Sequence, residues 1–314
     1  MDKIPSEICL YIFTLACIDN GFTGRSLSQV SQYVREVSQT VKLQSICLHG
    51  HDQILAFAEL IEHTPATVRK VRQLFICNEK KRSSDTPQSA SKPGNRPSVG
   101  RPHSPGNRER RRLQSKIAQN AYRERRKRWK IIDQATATIL ANVGSTIERL
   151  AISFGPAPVL SEIREPLFLP NLVDLTITNC PLSWLAPSHR LHRLHVIYKH
   201  FADILGTTSM SVVPALEKLK ISGMHQSQHI PVNFPDTLQE ILISPPISPA
   251  VFGYITSPPL LNHDELIHDL LLKYSSQQVV VLGKEDTSFV SDALAEERLW
   301  LENLAYCPSR VSAC

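Results

Sequence analysis

His189, His192 and His195 recur at intervals of three, and they are the sequence's nearest approach to a metal-binding constellation. The spacing works against it. In an extended segment residues three apart face opposite sides, and no cysteine or carboxylate stands close enough to complete a ligand set. The seven cysteines, at positions 9, 17, 47, 77, 180, 307 and 314, form no CxxC pair and are odd in number. They read as inert thiols of a reducing compartment rather than a disulfide framework or zinc site. Walker loops, GxGxxG, HExxH and GxSxG are all absent. The acidic-histidine string NHDELIHD (262–269) suits the polar face of a helix. The expectation is a protein with no catalytic centre, metal or cofactor, whose work is binding.

Cation density is the stronger chemical signal. Residues 78–130 hold 17 Lys/Arg against 4 Asp/Glu, a local excess of +13. The whole chain carries +6, so the remainder is −7 and the basicity belongs to one insert. Arg123, Arg125, Arg126, Lys127 and Arg128 are its densest run, suited to contact with nucleic-acid phosphates or with an import receptor. The segment NRERRRLQSKIAQNAYRERRKRWK (107–130) resembles the basic region of fungal bZIP factors through Gln114, Ala118, Gln119, Ala121, Tyr122, Arg123 and Arg125. That resemblance implies a continuous helix lying in the major groove of DNA. Ser115 stands where the pattern places a base-reading Asn, and no leucine heptad follows before Gly144. A solvated helical insert or import patch is the leading reading. Non-specific nucleic-acid contact and a true bZIP region stay open behind it.

The elements that must carry a binding function lie on either side of this insert. In residues 1–65, Pro5 suits the first turn of a helix, and Ile8, Ile12, Leu15 and Ala16 share one face. Cys9, Tyr11 and Phe13 make that helix apolar on more than one side. IDNGFTGR reads as a loop, and Ser26 as the cap of a second helix striped by Leu27, Val30, Val34, Val37 and Val41. A third helix is expected in HDQILAFAELIEHTP, ending before Pro65. The first helix is too charged at Asp2 and Glu7 for a signal peptide, and no run of about 18 apolar residues occurs. The chain therefore reads as intracellular, in cytoplasm, nucleus or both.

The opening Ile-Pro-x-Glu-Ile, the Ile12-Phe13 pair, Leu27-x-x-Val30-Ser31 and Val34-Arg35 together resemble an F-box, in the form common in mushroom-forming fungi. The interhelical loop is longer than in the minimal F-box, and no Trp follows Arg35. The resemblance implies a small helical bundle docking on a Skp-family adaptor, which in turn binds a cullin. By the same resemblance Ile4, Pro5, Ile8, Ile12, Phe13, Leu27, Val30 and Val34 are docking or core positions, with no division between the two roles.

A six-residue string then recurs: IERLAI (147–152), LVDLTI (172–177), LHRLHV (191–196), LEKLKI (216–221) and LQEILI (238–243), with an earlier copy VRQLFI at 71–76. Apolar residues hold positions one, four and six. The starts from residue 147 onwards are 25, 19, 25 and 22 apart, close to the leucine-rich repeat range of about 20–29. The fold class expected is α/β: an N-terminal helical F-box-like module followed by an irregular leucine-rich-repeat-like solenoid. Its divisions are 1–65 (helical module), 66–77 (first repeat-like strand), 78–106 (disordered basic linker), 107–142 (basic helical insert) and 143–314 (repeats with a C-terminal capping helix at 292–306).

Each strand would bury its Leu and Ile and project the alternate residues into an extended binding face. Asp174, Thr176, Arg193, His195, Lys218 and Lys220 are the leading target-binding candidates. Trp184, Tyr198, His200 and Phe201, in connecting loops, are candidate anchors or local core. The function expected is that of a substrate-recognition subunit of a Skp–cullin–F-box ubiquitin ligase, monomeric apart from that complex. A DNA-binding regulator using 107–130, and a repeat scaffold unconnected to a ligase, are the alternatives. The target is not legible in the sequence.

Overall fold

The computed structural model describes residues 4–19, 21–78, 106–154, 160, 165–178, 180–197, 209–222, 234–244 and 278–281. Residues 79–105 of the expected linker, the C-terminal capping helix, Tyr198, His200 and Phe201 lie outside them, and Gly106 already belongs to a helix. The chain is α/β, with helices at its N-terminus and an eight-stranded sheet in which all seven pairings are parallel. Strand order follows chain order from end to end, as in a leucine-rich-repeat-like parallel sheet.

Three short helices come first: α1 (Ser6–Ala16), α2 (Phe22–Val30) and α3 (Gln32–Ser38). The expected second helix is thus two, and its first turn lies inside the expected loop. Asp19 caps α2, its carboxylate accepting from Thr23 N–H at 3.0 Å and from the Thr23 hydroxyl at 2.6 Å. Ser31 is fully extended and its hydroxyl accepts from Val34 N–H at 3.2 Å, ending one helix and starting the next. The bundle closes on Cys9, Phe13, Cys17, Val34 and Val41, with Leu27, Tyr33 and Val37 packed against them.

Gly24 is fixed by crowding. A Cβ there would sit 2.4 Å from the Lys42 carbonyl oxygen, so α2 lies directly on the backbone of the following turn. Gly24→Ala must push the two apart. A loss of about 1–3 kcal/mol from the bundle is expected, read as a lower urea midpoint for the far-UV signal.

The strand β1 (Ser45–His49) runs straight into α4 (Gly50–His63). Gly50, at φ 74°, makes the switch in a conformation that glycine adopts without strain. Next come β2 (Gln73–Cys77) and the 38-residue helix α5 (Gly106–Val143). Five strands follow, β3 (Arg149–Ser153), β4 (Asp174–Thr178), β5 (Arg193–Ile197), β6 (Lys218–Ser222) and β7 (Glu240–Ser244), and then β8 (Gln278–Val281). The six predicted strings all supply strands, each beginning two residues into its string. β1 and β8 were not expected. Ser45–His63 was assigned to the N-terminal module, but its strand pairs with β2, and its helix lends Ile54, Phe57, Ala58 and Ile61 to the core under the sheet.

The repeats are held by one device used six times. The carbonyl just before each strand accepts two consecutive N–H groups from the next repeat. Gln44 O takes Arg72 and Gln73, Arg72 O takes Glu148 and Arg149, and Glu148 O takes Val173 and Asp174. Val173, His192 and Glu217 continue the series to β7. The first apolar residue of each string (Val71, Ile147, Leu172, Leu191, Leu216 and Leu238) is buried beneath this ladder. The preceding residue often bonds backwards. The Thr146 hydroxyl donates to Val71 O at 3.0 Å, Asn171 Nδ2 to Ser145 O at 2.6 Å and the Thr237 hydroxyl to Leu216 O at 2.9 Å.

Candidate protein-docking surfaces

Two surfaces are candidates for a docking partner: an exposed one on the helical bundle, and a sheet face whose side chains are mostly half-buried or buried. On α1 the buried stripe is Cys9, Phe13 and Cys17, four residues apart. The stripe that periodicity singled out, Ile8, Ile12 and Leu15, points the other way. With Tyr11 these side chains are 50–65% exposed, and Ile4, Ile18, Phe22 and Val30 are exposed as well. A small bundle that buries two cysteines and shows these large apolar side chains to water has its hydrophobic face outside. Of the expected adaptor-binding positions, Ile4, Pro5, Ile8, Ile12 and Val30 are exposed, Leu27 is half-buried, and Phe13 and Val34 are core.

The backbone under this patch is pinned. Ile8 and Cys9 N–H groups donate to Pro5 O, both at 3.1 Å, and the Tyr33 hydroxyl donates to Ile4 O at 2.9 Å. Arg35 Nε donates to Ser28 O at 2.8 Å, fixing α3 against the end of α2. Gln44 Nε2 reaches Thr14 O at 3.4 Å, joining the bundle to the first repeat. Burial raises the Cys17 thiol pKa, helped by the nearby Asp19 carboxylate, so this cysteine serves as an apolar filler.

The second surface is the sheet face opposite the main core. The register sets its rows: Gln73, Arg149, Asp174, Arg193, Lys218 and Glu240 in one, and Phe75, Ala151, Thr176, His195, Lys220 and Leu242 in the next. Its charges are largely matched within the chain. Asp174 is held between Arg149, 3.2 Å away, and Arg193, whose Nη2 donates to Oδ2 at 2.7 Å. Lys218 meets Glu240 at 2.7 Å. One residue earlier in the repeat strings, Arg72 meets Glu148 at 2.7 Å, and the His192 ring Nδ1 lies 3.1 Å from a Glu217 carboxylate oxygen. Burial raises the Asp174 pKa, outweighing the pull of its two arginines.

Of the expected target-binding residues, Lys218 is exposed, while Asp174, Thr176, Arg193 and Lys220 are half-buried. His195 departs from expectation, since it is buried, with Nε2 2.9 Å from the Ser222 hydroxyl. Trp184 is also core, packed with Cys180, Leu182 and Leu185, and it is no exposed anchor. Burial pushes the Cys180 thiol up to about 12. At the β1–β3 end, Phe75, Cys77 and Ala151 form a small apolar cluster of their own, flanked by Cys47. Sequence reasoning overlooked that cluster, although Phe75 and Ala151 occupy the projecting position of their strings.

A pH prediction follows from His195. Burial lowers its pKa to about 3, with Lys220 adding to the effect, whereas an unfolded histidine titrates near 6.5. Below about pH 6.5 the unfolded chain therefore binds a proton that the folded chain refuses. His195's contribution is fully present above that pH and is lost as pH falls towards 3, by up to about 1.4 kcal/mol per pH unit. Unfolding free energies from urea titrations at pH 7 and pH 5 should differ by about 2 kcal/mol more in the native chain than in His195→Gln.

The third region of interest is the middle of α5. Arg123, Arg125, Arg126, Lys127 and Arg128 are all exposed there.

No family model, curated protein or solved structure matches this chain. Function rests on the surfaces themselves. No helix among the described residues is long and apolar enough to cross a membrane.

Proposed function

We propose that α1–α3 are an F-box-like module, that the sheet is an irregular leucine-rich-repeat-like solenoid, and that the chain is the substrate-recognition subunit of a Skp–cullin–F-box ubiquitin ligase. The observation that carries this reading is the inverted bundle, with Ile8, Tyr11, Ile12 and Leu15 outside and Cys9, Phe13 and Cys17 inside. Exposed apolar side chains clustered on a fixed backbone supply the anchors of a protein interface. The Ile-Pro-x-Glu-Ile resemblance names the partner as a Skp-family adaptor, with a cullin beyond it.

In this reading the chain performs no bond chemistry. The ligase partners transfer ubiquitin, and the chain holds a protein target near them. The sheet face supports target capture through its geometry, because equivalent residues of successive repeats form straight rows. Its paired charges favour a target read by shape and hydrogen bonds over one drawn in by net charge.

The test is purification of the tagged full chain from cells that contain the ligase components, followed by mass spectrometry. Adaptor and cullin should be recovered in comparable amounts with the bait. Recovery of neither would overturn the proposal.

A further inference from the structure

Five cysteines lie among the described residues, and Cys9, Cys17, Cys77 and Cys180 are buried. Cys47 is half-buried, and a base stands beside it. Its Sγ lies 3.1 Å from Nε2 of His49, two residues along β1 and on the same face of the strand. The base is held in place. Its ring packs at a tilt against Phe75, with centroids 5.4 Å apart, and its backbone N–H donates to Gln53 Oε1 at 2.9 Å. The register sets Phe75 of β2 beside Cys47 and the Cys77 thiol beside His49, while His51 and Asp52 follow in the first turn of α4.

A thiol within hydrogen-bond reach of an imidazole is a nucleophile paired with a base, and the thiolate is its reactive form. We infer that Cys47 is a reactive thiol, activated by His49, that forms a mixed disulfide with a low-molecular-weight disulfide. The Cys47 proton passes to His49 Nε2, and the thiolate attacks one sulfur of the incoming disulfide. A new S–S bond forms as the old one breaks, and the departing thiolate takes the proton from His49. Cys47 is oxidised and the departing half of the disulfide is reduced, with no further oxidant.

Cys77 is badly placed to displace the adduct. It lies two residues out of register with Cys47 on the adjacent strand. At about 4.8 Å between strands and about 3.3 Å per residue, their Cα atoms are about 8 Å apart, beyond the usual disulfide span of about 4.4–6.8 Å. The mixed disulfide therefore persists until an outside thiol reduces it. It stands at the head of the row that continues through Phe75, Ala151 and Thr176. The site is independent of the ligase reading.

The experiment is stopped-flow reaction of the full chain with dithiobis(nitrobenzoate) at pH 6.5 and pH 9.5, with the labelled residue identified by peptide mass spectrometry. At pH 6.5 an ordinary thiol is only about 1% thiolate. Cys47 should be the first thiol labelled, about tenfold faster than the thiols of the urea-unfolded chain, since a larger thiolate fraction outweighs its lower intrinsic nucleophilicity. His49→Asn should lose most of that advantage at pH 6.5 yet be no slower than the native chain at pH 9.5, with circular dichroism unchanged. The comparison of native with unfolded chain decides the matter even where the variant folds poorly. First labelling at another cysteine, or equal native and unfolded rates at pH 6.5, overturns the proposal. So does a His49→Asn loss of the same size at both pH values, which makes the histidine a matter of access alone, or a Cys47–Cys77 disulfide as the product.

Discussion

Replacing Ile8 and Ile12 together with aspartate should abolish recovery of the adaptor while leaving the chain as stable as before. Both side chains are at least half exposed, on the face of α1 away from Cys9, Phe13 and Cys17, so neither supports the bundle. Exposed substitutions away from caps and close contacts typically move stability by no more than about 0.5 kcal/mol. In a docked complex the same two residues become buried anchors. Truncating an anchor costs about 2 kcal/mol or more, and a buried unpaired carboxylate adds its desolvation. Two such sites together should weaken binding by a factor on the order of 1000 or more. The measurement is calorimetric titration of purified adaptor into the full chain, native and Ile8→Asp/Ile12→Asp, with thermal melts of both. Unchanged affinity would place the adaptor elsewhere, and a collapsed melt would mean that α1 packs with its other face inward. Phe13→Ala is the converse control: it should lower the bundle's stability by about 3–5 kcal/mol through the cavity it leaves.

The two stripes of α1 show how far the sequence could be read. Both have helical periodicity, Ile8/Ile12/Leu15 and Cys9/Phe13/Cys17, and period alone does not say which one meets the core. Hydropathy points to the isoleucines. The bundle instead buries the cysteines, because the elements α1 packs against supply Val34, Val41 and the body of Tyr33. The split between α2 and α3 was hidden for a related reason. Leu27, Val30, Val34 and Val37 keep a helical rhythm across Ser31, and only the serine's capping bond to Val34 reveals the break.

The sheet was more legible, since burying two alternate side chains per strand leaves a repeated imprint. Even so, one copy was overlooked. LQSICL at 43–48 has apolar residues at positions one, four and six, 28 residues before VRQLFI, and it supplies β1. β8 carries Ser276 at position one and so lacks the full pattern. The carbonyl ladder that staples the repeats left no trace in residue type, because backbone groups make it. His195 and Thr176 hold equivalent projecting positions, and alternation alone does not separate the buried one from the half-buried one.

Trp184 shows where composition misleads, and its replacement should have the largest effect on stability of any change in the sheet's core. An aromatic residue in a connecting loop invites a role as an exposed anchor, but Trp184 is only 1% exposed. It lies between β4 and β5 beside Cys180, Leu182 and Leu185, all of them buried. Its carbonyl accepts from Leu167 N–H at 2.7 Å, and Leu167 O accepts from Ala186 N–H at 2.9 Å, so the β3–β4 and β4–β5 connections pair side by side at this point. Trp184→Ala should cost about 3–5 kcal/mol, a large fraction of the 5–15 kcal/mol typical of a domain. Trp184→Phe keeps most of the volume and should lose clearly less. Urea unfolding followed by far-UV circular dichroism separates the two roles. A core tryptophan gives a graded fall in midpoint from native to Phe to Ala, whereas an exposed anchor leaves all three midpoints together. The graded result would also couple neighbouring repeats. β3 and β5 share no pairing with each other, and a cavity in the core that Trp184 shares with both should loosen both.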